Sequence, residues 1–234
     1  MIAGKMGMER YSVINEKFPR EFVLLQGTGC RWGKCTFCDY HSDTSEDPFL
    51  VNRPVLEQVT GCHGVLDVIN SGSCLELDRQ TVDLLQEVVG KKNIHTLWFE
   101  AHWMYRKRLG VFASLFPGVQ VKFRCGVESF DAGLRKRWNK GVPETAGCRE
   151  IAEYFQGVCL LCGTDVEDFS HILPDIQTAV NHFEYLSVNL FCNNSTSLHR
   201  DEAIVARFME EVYPLYKDHP KVEILVENTG LGVG

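Results

Sequence analysis

Short apolar runs rich in β-branched residues recur along the chain, and stretches long enough for a helix separate them. Each run has the length and composition of a buried β-strand. The seven predicted strands are Phe22–Leu25, Val65–Asn70, Thr96–Glu100, Val121–Gly126, Val158–Leu161, Tyr185–Leu190 and Val222–Val226. This alternation of strand and helix predicts parallel strands joined in βα units.

Two of the intervening stretches, Asp78–Val89 and Ala203–Tyr213, have the periodicity of amphipathic helices. In each, apolar residues three or four positions apart fall on one face. Those residues are Val82, Leu85 and Val89 in the first stretch and Ile204, Phe208 and Val212 in the second.

The number of βα units defines the expected fold. Six units match an α/β fold of the partial (β/α)6 TIM-like barrel type, with mostly parallel strands, better than a closed eight-fold barrel. In either version, reactive groups gather at the C-terminal ends of the strands. Residues 1–18 are expected to form a short N-terminal lead-in and residues 19–234 a single core domain. No linker, low-complexity segment or fixed-period repeat interrupts that domain.

Composition narrows the setting and the partners. The 234 residues carry a formal net charge of -7, which argues against a broad phosphate-binding surface, so nucleic acid is not an expected partner. The first residues contain no sustained apolar segment typical of a signal peptide, and no run is long enough to cross a membrane. We therefore expect the ten cysteines to be reduced and the protein to be cytoplasmic.

Three of these cysteines, Cys30, Cys35 and Cys38, fall within nine residues just after the first predicted strand. Three close thiolates with no obvious fourth suit a [4Fe–4S] cluster that keeps one iron open for another ligand. Zinc is the main alternative, because His41 could complete a Cys3His site. The preceding strand and the polar motifs at later strand ends favour the iron–sulfur cluster.

Polar side chains follow several predicted strands where reactive groups are expected. Glu100 and His102 end the third strand, and Glu128 follows the fourth. Asn189 and Asn193 lie at the end of the sixth. Carboxylates and amides can recognise a heterocycle that presents hydrogen-bond donors and acceptors.

The segment Gly29–Tyr40 and the Gly126–Ser129 stretch resemble the radical SAM superfamily, and the resemblance extends over roughly residues 21–194. The superfamily usually spaces its cysteines C-x3-C-x2-C, whereas this chain has C-x4-C-x2-C. The resemblance implies that Cys30, Cys35 and Cys38 ligate three irons of a [4Fe–4S] cluster and that S-adenosylmethionine (SAM) binds the fourth.

The resemblance also implies a set of SAM-binding residues. Phe37 and Gly163 correspond to positions near the adenine, and Ser71, Gly72 and Ser73 to a turn that meets the SAM amino group. The further candidates are Glu128, Ser129, and Arg135 or Arg137 for the SAM carboxylate. Packing of Phe37, helix capping by Ser73 and solvation of either arginine remain open alternatives.

The implied reaction is cleavage of SAM to a 5′-deoxyadenosyl radical that acts on a small heterocyclic substrate, with Glu100 and Glu128 as catalytic candidates. Among stand-alone members, Gly29–Tyr40 is most similar to lyases that cleave a carbon–nitrogen bond of a deazapurine base for queuosine salvage. An electron donor such as flavodoxin or ferredoxin is implied as a partner. The alternatives are a radical SAM enzyme that modifies tRNA or a peptide, and a non-catalytic zinc-binding module.

Overall fold

The computed structural model describes residues 9–227 of the chain. Their contacts divide them into two compact units. The first unit contains residues 9–33 and 40–123, and the second contains residues 34–39 and 124–227. The cysteine triplet is divided between them, with Cys30 in the first unit and Cys35 and Cys38 in the second.

The first unit is built from strands and short helices in alternation. Its strands are β1 (Tyr11–Ile14), β2 (Arg20–Leu25), β3 (Val65–Asn70), β4 (Thr96–Glu100) and the first residues of β5 (Gln120–Glu128). Its α-helices are α1 (Pro48–Leu56), α2 (Arg79–Lys91) and α3 (Leu109–Ala113), and 3-10 turns occupy Tyr40–Ser42, Cys74–Glu76 and Trp103–Arg108. β2, β3 and β4 pair in parallel, and β1 pairs antiparallel with β2.

Burial explains why these apolar runs become strands. All six residues of β2 are buried, as expected for a parallel strand that is covered on both faces. An aromatic cluster of Phe99, Phe112, Phe116 and Phe123 fills part of the same core, with ring centroids 5.2–6.4 Å apart. Phe99 is the penultimate residue of β4, so this cluster anchors the C-terminal end of that strand.

The second unit continues the same alternation. Its strands are the rest of β5, β6 (Gly157–Cys162), β7 (Tyr185–Leu190) and β8 (Val222–Leu225), paired in parallel in that order. Its helices are α4 (Ala132–Arg137), α5 (Cys148–Ala152), α6 (Ile172–His182), α7 (Glu202–Arg207) and α8 (Tyr213–Tyr216), with a 3-10 turn at Phe169–His171. A π-helical turn, Phe208–Val212, joins α7 to α8.

All seven predicted strands are present, and the parallel pairing within each unit confirms the α/β prediction. Strand β1, at Tyr11–Ile14, was missed because it is a four-residue, largely half-buried strand with little apolar signal. The predicted helix Ala203–Tyr213 is interrupted by the π-helical turn. Pro214 follows that turn, and proline has no backbone N–H to donate to a continuing helix.

Candidate functional site

Most of the predicted site residues lie in turns that directly follow the C-terminal ends of strands. In the first unit these are the Cys30 turn after β2, the Ser71–Ser73 turn after β3, and Glu100 at the end of β4. In the second unit they are the segment Lys34–Asp39 and the ends of β5 and β6.

Cys30 lies in a tight turn between two glycines in the left-handed region. Gly29 has φ 109° and Gly33 has φ 53°. The Gly33 N–H donates to Cys30 Sγ at 3.3 Å, so the chain folds back on its own thiol. Trp32 stacks on His102 after β4, with ring centroids 5.1 Å apart.

The Ser71–Ser73 turn is buried and tightly bonded. Ser71 Oγ accepts from the Gly27 N–H at 2.9 Å, and Ser73 Oγ accepts from the His102 N–H at 3.0 Å. A Cβ on Gly72 would lie 2.2 Å from Glu76 Oε2 and 3.2 Å from the Cys30 Cα, so a larger residue there would displace the Glu76 carboxylate. The structure therefore brings the predicted SAM-binding turn against the Cys30 turn.

Sequence reasoning missed one residue in this region, Glu76. Its side chain accepts hydrogen bonds from the backbone of both turns and from the Tyr105 hydroxyl. The available signal was a carboxylate three residues after Ser73, which has the spacing of a helix-capping pair. Glu100 lies at the end of β4 and is half-buried.

The segment Lys34–Asp39 is packed and hydrogen-bonded within the second unit. Phe37 is 6% exposed and meets Trp138 edge to face at 5.9 Å, in a cluster with Leu134, Leu161 and Phe191. The thiols of Cys35 and Cys38 lie partly buried against this cluster. The observed contacts of Phe37 are therefore those of a packed core residue, which was the alternative to adenine binding.

The amide-rich turn after β7 supports the same segment. Asn194 Nδ2 donates to the Phe37 carbonyl at 2.7 Å, and Ser195 donates through N–H and hydroxyl to Asp39 Oδ2 at 3.0 and 2.9 Å. Asn193 Oδ1 accepts from the Arg200 N–H at 2.8 Å. At the end of β7, Asn189 Oδ1 is buried and has no hydrogen-bond partner among the described residues.

Glu128 ends β5 in a strained conformation and forms an ion pair. Its φ is 64°, beside a register shift in the pairing with β6, and its Oε1 lies 2.7 Å from Lys140 Nζ. A Cβ on Gly126 would lie 2.5 Å from that oxygen, so the glycine makes room for the pair. Lys140 Nζ also lies 5.4 Å from the centre of the Phe37 ring.

Electrostatics keep Lys140 charged. Burial acts to lower the pKa of its ammonium group, but the charges of Glu128 and Cys35 outweigh that effect, and the pKa lies well above its ordinary value. Its partner Glu128 has a positive φ. In a residue other than glycine this conformation costs free energy, and such residues are concentrated at functional sites.

Ser129 and Arg135 face the interior of the second unit. Ser129 Oγ donates to Asp175 of α6, whose carboxylate also accepts from the Phe130 N–H at 3.0 Å. Arg135 is 3% exposed, so the alternative of a solvated helix charge is wrong for this residue, whereas Arg137 is exposed. Both terminal nitrogens of Arg135 lie 3.4 Å from the Ala146 carbonyl, and its buried Nε has no hydrogen-bond partner in the described structure.

The turn after β6 is built around Gly163, which has φ 91°. Glu167 Oε2 accepts from the N–H groups of Gly163 and Thr164 at 2.6 and 2.9 Å. Glu167 Oε1 lies 3.1 Å from His171 Nε2, close enough for an ion pair but not aligned as a hydrogen bond. A Cβ on Gly163 would lie 2.7 Å from the Val205 side chain.

Two features are absent from residues 9–227. No helix in that range is long and apolar enough to span a bilayer. No group of three or more His, Cys, Asp or Glu side chains there is arranged so that it could hold a metal ion.

The parallel α/β fold, the cysteine triplet and the polar turns at strand ends define a radical SAM enzyme. No protein-family model matches the chain, and no curated protein matches it. Among solved structures, it is similar to the queuine lyase from Clostridium spiroforme bound to SAM and queuine. The two are 37% identical with a TM-score of 0.90, and the match covers 97% of this chain and 99% of that chain. The chain belongs to the queuine lyase family.

Membership of this family tests the predictions of fold class and of enzymatic activity. The fold class is that of a partial TIM-like barrel, as predicted. The protein is an enzyme of the radical SAM superfamily, so the alternative of a non-catalytic zinc-binding module is set aside.

Proposed function

We propose that this chain is a radical SAM lyase that cleaves queuine and releases its aminomethyl deazaguanine precursor for queuosine salvage. The observation that carries the proposal is the similarity over nearly the full length of both chains to a queuine lyase whose structure contains SAM and queuine. The proposed substrate of this chain is therefore a small molecule. The proposal favours a free base over tRNA or a peptide.

Cys30, Cys35 and Cys38 are the proposed ligands of a [4Fe–4S] cluster. Their donor chemistry fits, since all three are partly exposed thiols outside any disulfide. They are not arranged as the ligands of a single metal ion, and the proposal assigns each thiolate to a different iron of the cluster. Three cysteines leave one iron of such a cluster without a protein ligand. When bound, the reduced cluster supplies the electron that splits SAM into methionine and a 5′-deoxyadenosyl radical.

The chain's own residues bind and orient SAM. Ser71 Oγ accepts one hydrogen bond, from the Gly27 N–H, and its second lone pair is proposed to accept from the SAM ammonium group. Ser73, whose Oγ accepts from the His102 N–H and takes part in a capping box with Glu76, is proposed to meet the same group. The open backbone at Gly72 lets the ligand approach closely. Phe37 and Gly163 are proposed to contact the adenine. Ser129 is proposed to support this site through the start of α4.

Arg135 is the proposed ligand of the SAM carboxylate. Its Nε is a buried donor with no hydrogen-bond partner among the described residues, and such a donor costs free energy until it is paired. A guanidinium can hold a carboxylate through two parallel hydrogen bonds.

Glu100 and Glu128 are the proposed catalytic residues. Carboxylates accept hydrogen bonds from the amino and ring N–H groups of a guanine-like base. Lys140 and the positive φ of Glu128 hold its carboxylate at the end of β5. The buried Asn189 Oδ1 supplies a further acceptor, and an analogue that leaves it unpaired would bind less well.

A reductant such as flavodoxin or ferredoxin is proposed to deliver the electron. We place the enzyme in the cytoplasm. All ten cysteines lie in the described residues and none is paired, which fits a reducing compartment.

The test is an anaerobic reaction of purified protein with SAM, dithionite and queuine, followed by mass spectrometry. We expect a protein with one [4Fe–4S] cluster that forms 5′-deoxyadenosine and the aminomethyl deazaguanine base. Replacing Cys30, Cys35 or Cys38 with alanine should abolish the cluster and both products. The matched control is Cys148→Ala, which removes a partly exposed thiol outside the triplet.

The proposal fails if queuine survives unchanged while a tRNA or peptide triggers deoxyadenosine release. It also fails if protein prepared without air holds stoichiometric zinc and no labile sulfide.

A further inference from the structure

Glu76 joins three separate parts of the first unit through one carboxylate. Oε1 accepts from the Arg31 N–H at 2.9 Å and from the Tyr105 hydroxyl at 2.8 Å. Oε2 accepts from the Ser73 N–H at 2.6 Å. The two turns that carry Cys30 and Ser71–Ser73 therefore share a single anchor.

The surroundings of Glu76 leave this carboxylate little freedom. The residue is 8% exposed, and its backbone carbonyl accepts from the N–H and hydroxyl of Thr28 at 2.8 and 3.0 Å. Gly72 leaves room for the carboxylate, because any larger residue there would meet Oε2. Burial, the hydrogen bond to Glu76 and its charge raise the pKa of Tyr105 to about 12, so the hydroxyl remains a donor at neutral pH.

Helix capping alone does not account for this arrangement. A capping role needs only the bond between Oε2 and the Ser73 N–H at the start of the 3-10 turn Cys74–Glu76. The second oxygen, Oε1, accepts from the N–H of Arg31, the residue that follows Cys30 in the chain. Hydrogen bonds to a charged acceptor are stronger than neutral ones, so this oxygen holds the Cys30 turn firmly.

We propose that Glu76 is a positioning residue that fixes the Cys30 turn against the Ser71–Ser73 turn. Its carboxylate sets the distance between the cluster ligand Cys30 and the turn that binds the SAM amino group. Tyr105 holds the carboxylate from the other side. This inference rests on the proposed function, because it assigns Glu76 to the orientation of SAM at the cluster.

The first test uses hydrogen exchange of the cluster-free protein, which requires no activity. Glu76→Gln keeps the shape of the side chain but replaces one acceptor oxygen with a donor. Amides in the peptides covering Cys30–Gly33 and Ser71–Ser73 should exchange about tenfold faster than in the wild type. Tyr105→Phe removes one donor and should give a smaller increase. Glu87→Gln is the control, because Glu87 is exposed and forms an ion pair with Lys91 four residues along α2.

The second test uses the reconstituted enzyme. Glu76→Gln should retain iron and sulfide, but should raise the KM for SAM about tenfold and alter the electron paramagnetic resonance spectrum of the reduced cluster with SAM. A purely structural role would leave that spectrum unchanged. Glu87→Gln should match the wild type in both readouts.

Two results would overturn the inference. One is wild-type exchange at both turns in Glu76→Gln and Tyr105→Phe. The other is a uniform increase across the whole first unit together with an unchanged spectrum. If the wild-type enzyme cleaves SAM but leaves queuine intact, the proposed substrate is wrong, and these measurements still decide the role of Glu76.

Discussion

At the scale of single residues, the ion pair between Glu128 and Lys140 combines strain with buried charge. The two side chains are only 8% and 13% exposed, and Gly126 leaves the space that they occupy. A buried charge that loses its ion-pair partner is costly, because it keeps its desolvation penalty and loses the attraction that offset it. The conformation of Glu128 therefore depends on Lys140.

We expect Lys140→Gln to lower the free energy of unfolding by about 3 kcal/mol, because it leaves the Glu128 carboxylate without its cation. Urea unfolding of the cluster-free protein measures this change. The control is Lys136→Gln, which breaks the exposed pair with Glu144 and should cost less than about 1 kcal/mol. Equal losses in the two variants would contradict this account of the pair.

At the scale of elements, the turn after β6 is held by two side chains from the segment that follows it. Glu167 caps the N–H groups of Gly163 and Thr164, and His171 lies against its other oxygen. Burial acts to lower the pKa of His171, but the neighbouring Glu167 outweighs it, so the pKa is raised above its usual value. When protonated, His171 therefore stabilises the turn.

The raised pKa predicts a pH dependence of stability. The contribution of protonated His171 to the free energy of unfolding should be fully present below the pKa of the unfolded state, about 6.5. It should disappear as the pH rises through the pKa of the folded state. Urea unfolding between about pH 5.5 and about pH 8.5 measures this loss. His171→Gln should remove that part of the pH dependence. His182→Gln, which changes an exposed histidine bonded to the Thr178 carbonyl, should retain it.

At the scale of the whole molecule, the balance of charge favours a small substrate. The chain has a formal net charge of -7, and a polyanion gains affinity mainly through cationic contacts to its phosphates. An acidic protein repels tRNA unless it carries a local basic surface.

We therefore expect excess tRNA at about 0.1 M salt to leave the rate of the proposed queuine cleavage unchanged. Initial rates with and without tRNA test this, and bovine serum albumin at the same mass concentration controls for crowding. Inhibition by tRNA, or deoxyadenosine release that depends on tRNA, would contradict the assignment of a free base.

The positions of the strands and of the chemical groups could be read from the sequence. Val65–Asn70, Thr96–Glu100 and Tyr185–Leu190 have the predicted bounds, because buried parallel strands need continuous apolar runs. The cysteine spacing and the Gly126–Ser129 stretch indicated the superfamily, because both are short local motifs that can be recognised without any tertiary contact. The short strand Tyr11–Ile14 and the π-helical turn had no comparable local signal.

Only the tertiary structure decided which polar residues contact one another. Glu76 reaches Arg31 and Tyr105, and Asn194 holds Phe37 from 157 positions away. Several turns contain carboxylates, amides and hydroxyls. Their composition therefore does not distinguish a residue that holds a turn in place from one that binds SAM or substrate. Strand packing selects the partners, because it sets which turns meet at the strand ends, and hydrogen bonds form only within about 3 Å.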